Sequence, residues 1–155
     1  PLALAALFGE GGDGIDLRLR LSNAHALWRK MAVANAPKIS STLEIRGARA
    51  LLYRMGADRW RDACLLAEAQ HLAASETPAA RDAAIAELAS LPDRWPPPVL
   101  PFSGKDALKA GAAEGPAVAA LVKAAEARWI DEDFPSKARA FEIFAEEAAC
   151  VILKG

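Results

Sequence analysis

Between Leu91 and Pro101 the chain carries five prolines: Pro92, Pro96, Pro97, Pro98 and Pro101. Proline has no N–H to donate and its ring fixes φ, so this stretch predicts neither a helix nor the centre of a sheet. It separates a longer N-terminal part from a shorter C-terminal part, and both read as helical. Roughly a quarter of the residues are alanine, the best helix former, while Val, Ile and Tyr are scarce. A chain of 155 residues suits one ordinary domain or two small helical subdomains. The expected fold is all-α, an irregular bundle of about seven to eight helices of ordinary length. A helical body at 1–91, a Pro-rich linker at 92–101 and a helical tail at 102–155 are the expected subdivisions.

Local signals place the helices. Gly9 to Gly14 is a Gly/Asp loop that ends a first helix. Ser22-Asn23 starts a second, running to about Ala36, with Leu27, Trp28, Met31 and Ala32 as its apolar positions. Ser41 and Glu44 stand three apart and predict a capping box for a helix that stops at Gly56. Another helix follows through Arg61 to Ala73. Thr77-Pro78 opens one that reaches about Ser90. A final amphipathic helix carries Phe141, Phe144, Ala145, Ala148 and Ile152.

No apolar run approaches the ~20 residues that span a bilayer. Pro1 to Phe8 lack a basic leader and are too short for a secretory signal, so a cytoplasmic location and no membrane partner are expected. Cys64 and Cys150 lie far apart in apolar helical context, which predicts two buried thiols.

The net charge of −1 hides an asymmetry. Arg18, Arg20, Arg29, Lys30, Lys38, Arg46, Arg49, Arg54, Arg59 and Arg61 face only Glu44 and Asp58 along the same stretch. From Asp62 to Leu100 acids predominate. Such a sign change points to one face suited to a polyanion. A solvated basic face with no ligand is the competing reading.

Reaction chemistry is scarce. His25 and His71 lie in different helices without ligand-spaced partners, and no CxxC or HExxH pattern exists, so no metal site is expected. Gly9 to Gly14 lacks the Gly-Lys-Ser/Thr ending of a phosphate loop. Asp131, Glu132 and Asp133 read as a solvated turn rather than a magnesium site. What remains is a binding surface. At 100° per residue, Ile45, Ala48, Leu51, Leu52 and Met55 share one side of a helix, while Arg46, Arg49 and Tyr53 share the other, flanked by Arg54. Arginine forks two hydrogen bonds to phosphate and tyrosine stacks on bases. Arg29, Lys30 and Lys38 extend the predicted patch.

Beyond the prolines, Phe102-Ser-Gly-Lys-Asp-Ala-Leu-Lys-Ala-Gly111 reads as a short capped helix with a glycine stop. Gly115-Pro-Ala-Val118 starts the next helix, which ends through Glu126-Ala-Arg-Trp-Ile130. This pattern resembles the C-terminal region of bacterial tRNA nucleotidyltransferases, the CCA-adding enzymes, and of the related poly(A) polymerases. Further segments are similar to the same family, in the same order: Pro1-Leu-Ala-Leu-Ala-Ala-Leu7, Leu19-Arg-Leu-Ser-Asn23, Arg49-Ala-Leu-Leu-Tyr-Arg-Met-Gly56, then Arg61-Asp62 and Leu65-Leu66. Ala107, Lys109, Ala110 and Ala112 stand where that family more often has leucine, which predicts a loosened corner.

The resemblance implies an RNA-holding body and tail, with tRNA or other RNA 3′ ends as partners and Lys105 added to the RNA-contacting residues. The family's catalytic head, with its glycine-serine motif, paired aspartates and two Mg²⁺ ions, has no counterpart in this chain. The chain itself is thus expected to be non-catalytic and without cofactor, working with its own head and neck domains. Two rival readings stand beside it. One is a helix-hairpin-helix-like DNA-binding module, suggested by Gly111 to Val122, although Ala112-Ala-Glu114 is longer and more acidic than the usual tight turn. The other is a helical protein-interaction module. An exposed apolar patch around Leu2, Leu4 and Leu7 is also expected, since helices that would cover it belong to the neck.

Overall fold

The computed structural model describes residues 18–74 and 83–152. Among them there are eight α-helices, one 3₁₀ turn and no strand. The chain divides into two compact units, Pro1–Pro97 and Pro98–Gly155. The Gly9–Gly14 loop, the patch at Leu2, Leu4 and Leu7, and the Thr77-Pro78 helix start lie outside the described residues.

In the first unit, α1 spans Asn23–Asn35. Ser22 caps it in an extended conformation, its Oγ accepting from the His25 N–H at 3.3 Å. Ala32 and Val33 enter the core. Leu27 does not: it is 53% exposed, because the buried stripe runs one position further round. A 3₁₀ turn, Ala36–Lys38, follows with Pro37 in its first turn.

Helix α2 spans Ile45–Met55, and its start corrects the expected capping box. A Ser41 cap would need the N–H groups of Leu43 or Glu44. The Leu43 N–H instead donates to the Ser40 carbonyl at 3.0 Å, closing a turn in which the Ser40 and Thr42 hydroxyls pair, also at 3.0 Å. The helix begins after that turn, with Glu44 at its N-cap and no side-chain cap. Ala48, Leu52 and Met55 are buried at i, i+4 and i+7. Ile45, expected with them, is 50% exposed at the first helical position.

Gly56 ends α2 at φ 81° and ψ 160°, a region open essentially to glycine alone. Its N–H donates to the Leu52 carbonyl at 2.8 Å, and its own carbonyl accepts from Trp60 N–H at 3.0 Å. One residue thus closes α2 and opens α3, Ala57–Ala74. Trp60, Ala63, Cys64 and Ala67 form the buried stripe of α3, with Leu66 beside it. The Trp60 indole N–H donates to the Leu88 carbonyl at 2.8 Å, tying α3 to α4, Ala83–Ala89. Full burial of a Leu or a similar side chain stabilises by roughly 1.5–3 kcal/mol, so Leu52 and Leu66 weigh heavily in a core of this size.

The Pro-rich stretch is not wholly irregular. Leu91–Arg94 forms one helical turn, α5, with Pro92 in its first turn, where a missing N–H leaves no gap. Leu91 is buried, and the partly buried Trp95 packs on the same core.

In the second unit, α6 spans Gly104–Lys109, α7 Pro116–Asp131 and α8 Lys137–Ile152. Ser103 and Asp106 form a capping box, with Asp106 Oδ2 accepting from the Ser103 N–H and hydroxyl at 2.9 Å each. These bonds hold the Asp106 carboxyl below its ordinary range. Gly111, at φ 91°, lies past the end of α6, as expected. The corner is closed rather than loose: Ala107 is wholly buried, and a Cβ added at Gly104 would stand 3.2 Å from Val118 Cγ1.

Leu121, Ala125, Trp129 and Ile130 of α7 are buried, as are Ala140, Ile143, Phe144 and Ala148 of α8. Phe141 lies at the margin, 37% exposed, with Phe102 edge-on to it at 6.5 Å and tilted against Phe144 at 4.9 Å. After α7 the chain reverses through Asp133 and Phe134, both at φ 57°. The Phe134 N–H donates to the Trp129 carbonyl at 3.0 Å, and the Trp129 indole N–H donates to the Pro135 carbonyl at 3.1 Å. Trp129 and Phe134 meet edge to face at 5.0 Å.

Candidate nucleic-acid interface

The α2 helix buries Ala48 and Leu52, and its other side presents Arg46 and Arg54 to solvent. Arg46 lies in the first turn and Arg54 in the last, so the two guanidinium groups flank the length of the helix. Arg49 and Tyr53, between them, are half-buried. The Arg49 guanidinium lies over the Trp95 ring at 5.4 Å, so part of its charge is directed into the protein. The face is a pair of exposed arginines with a half-buried centre between them, not four equivalent groups.

The other expected residues separate into two kinds. Lys30 and Lys38 are exposed, and Lys38 Nζ donates to Asn35 Oδ1 at 3.1 Å. Lys105 is exposed on α6, in the other unit. Arg29 corrects the sequence reading: it is 2% exposed, among the largest fully buried side chains of the protein. At 100° per residue Arg29 falls beside Ala32 and Val33, so its guanidinium is drawn into the fold and does not reach a ligand at the surface.

Two basic residues that the charge count included are also occupied. Arg61 pairs with Asp93 at 2.7 Å and with Asp58 at 3.7 Å. Arg59 lies over the Trp28 ring at 5.5 Å, with Nη1 3.7 Å from the Met31 sulfur. The Trp28 indole N–H donates to Asp62 Oδ2. Spacing could not have signalled the Trp28–Arg59 pair, because its partners lie 31 positions apart on different helices.

In the second unit Glu132, at the C-cap of α7, is engaged. Glu132 accepts from Arg139 at 2.9 Å and from Arg128 at 3.2 Å, and Arg128 also reaches Glu146 at 2.6 Å. Glu132 is thereby held below the usual carboxylate range, by Arg139 first. His25 and His71 are exposed. Among the described residues no group of three or more His, Cys, Asp or Glu could hold a metal ion, and no helix is long and apolar enough to cross a membrane. Cys64 is buried but Cys150 is exposed, which corrects the expectation of two buried thiols.

No family model, curated protein or solved structure matches this chain.

Proposed function

We propose that this chain is the RNA-gripping body and tail of a template-independent nucleotidyltransferase that adds CCA or A to RNA 3′ ends. The single observation that carries the reading is the α2 surface, where Arg46 and Arg54 stand exposed on a helix anchored by Ala48, Leu52 and Met55. Guanidinium groups so mounted suit phosphates at fixed positions along an RNA backbone. The other ground for the reading is the resemblance of several segments of the sequence to the nucleotidyltransferase family, and those segments fall at helix ends. Ser22 caps α1, Gly56 ends α2, the Ser103–Asp106 box starts α6 and Pro116 starts α7. Nucleotide transfer, with its Mg²⁺, belongs in this proposal to head and neck domains outside the chain.

The test is binding of the chain to labelled tRNA, titrated with salt against a duplex DNA competitor. Affinity should fall with salt, by a log–log slope of roughly 0.7–0.9 per phosphate neutralised, and weaken in Arg46→Ala/Arg54→Ala. Equal binding to DNA would favour the hairpin module. Binding to neither would count against the reading.

A further inference from the structure

Where α2 meets α3, a cavity of about 220 Å³ is lined by Trp28, Met55, Gly56, Ala57, Asp58 and Arg59. That is space for several waters, at roughly 30 Å³ each in the liquid. The α2 face described above does not account for it. Its walls differ from those of a phosphate site. The Trp28 ring and the Arg59 guanidinium lie together at 5.5 Å, Met55 and Ala57 add apolar surface, and the Asp58 carboxylate disfavours an anion. The stacking pair is held in place before any ligand arrives: Asp62 accepts from the Trp28 indole N–H, and the Met31 sulfur lies 3.7 Å from Arg59 Nη1. At Gly56 the lining faces open space, since no atom lies within 4 Å of where its Cβ would be.

We propose that this cavity takes one unpaired RNA base, stacked on the Trp28–Arg59 pair. Aromatic rings and guanidinium planes are the surfaces on which proteins stack splayed bases, and stacking tolerates any base because each has a π-face. A neutral planar ring suits a site that combines a cation–π pair with a carboxylate, and a phosphate does not. The inference rests on the RNA-binding reading and deepens it: the basic face engages backbone, while this cavity engages a base outside a helix.

The test follows the four tryptophan indole resonances of the full chain by NMR, with Trp28→Phe to assign Trp28. The probes are a short single-stranded RNA, the same strand without bases, a blunt RNA duplex and free AMP. The single strand should move the Trp28 resonance, and the abasic strand and the duplex should not. Trp28→Ala should weaken single-strand binding roughly 5- to 150-fold, the span of one stacked base, and Trp28→Phe should keep most of it. The wild-type resonance decides the matter even if Trp28→Ala does not fold. Salt-dependent tRNA binding with a still Trp28 resonance overturns the base site and leaves the α2 reading standing. No binding of any RNA overturns both, and a shift with AMP but with none of the RNAs overturns the base site.

Discussion

The Arg49 guanidinium carbon lies 5.4 Å from the centroid of the Trp95 ring. The two residues join the middle of α2 to the chain just past the single turn of α5. Trp95 packs against the core of the first unit, so this pair fastens the start of the proline-rich segment to the helix that carries the basic face. Arg49 thus has a structural task that Arg46, exposed one turn earlier, does not share.

The two arginines should therefore separate on mutation. Arg49→Ala should lower stability by about 0.5–2 kcal/mol, the range for a cation–π contact, and Arg49→Lys should recover part of it. Arg46→Ala should stay within about 0.5 kcal/mol of wild type and act on RNA affinity instead. Chemical denaturation beside tRNA titration checks both. Equal stability losses would show that the Trp95 contact contributes nothing.

Gly56→Ala should destabilise the first unit by roughly 1–3 kcal/mol, because φ 81° with ψ 160° is strained for any residue with a Cβ. No atom lies near the added methyl, so the whole effect is backbone conformation. A melting temperature unchanged by the substitution would mean that the α2–α3 junction has another accessible conformation.

The second unit should lose stability in acid. Arg128 first and Arg139 next hold the Glu146 carboxyl below its ordinary range, as Arg139 and Arg128 do for Glu132. Carboxyls depressed in this way stabilise the fold above their unfolded value of 4.5, and the contribution is lost as pH falls through the folded values. Thermal melts between neutral pH and about pH 3 should show a smaller acid-side drop in Glu132→Gln/Glu146→Gln than in wild type. High salt should narrow the difference, since these groups lie at the surface.

Burial pushes the Cys64 thiol from 9.0 up to about 12. The unfolded chain therefore ionises first. The stability held by the neutral thiol is complete below about pH 9 and is lost progressively as pH rises towards about 12. At mildly alkaline pH a thiol reagent should modify Cys150 rapidly and Cys64 only on unfolding. Two fast-reacting thiols in the native protein would contradict this.

Much of the local architecture was legible because it rests on short-range chemistry. Ser22, Gly56, Gly111 and Pro116 mark helix ends by constraints internal to one or two turns. The Ser41–Glu44 box does not form, for a related reason: the Ser40 turn claims the N–H that the cap requires. At the candidate interface, periodicity identified Arg46 and Arg54 but could not tell them from Arg29 and Arg49. A helical wheel gives a direction, and it does not say what stands there.

The sequence by itself determined that this protein is all-α, where most of its helices begin and end, and that its basic residues concentrate before Asp62. Propensity, capping and charge are properties of neighbouring residues, so they survive without a fold. Only the tertiary structure decided which charges remain available. Packing draws Arg29 inside, sets Arg49 on Trp95 and Arg59 on Trp28, and pairs Arg61 with Asp93. Those partners lie 30 or more positions away along the chain for Arg49, Arg59 and Arg61. Compaction alone brings them within reach, since the spacing of residues in a sequence carries no information about the distances that packing creates.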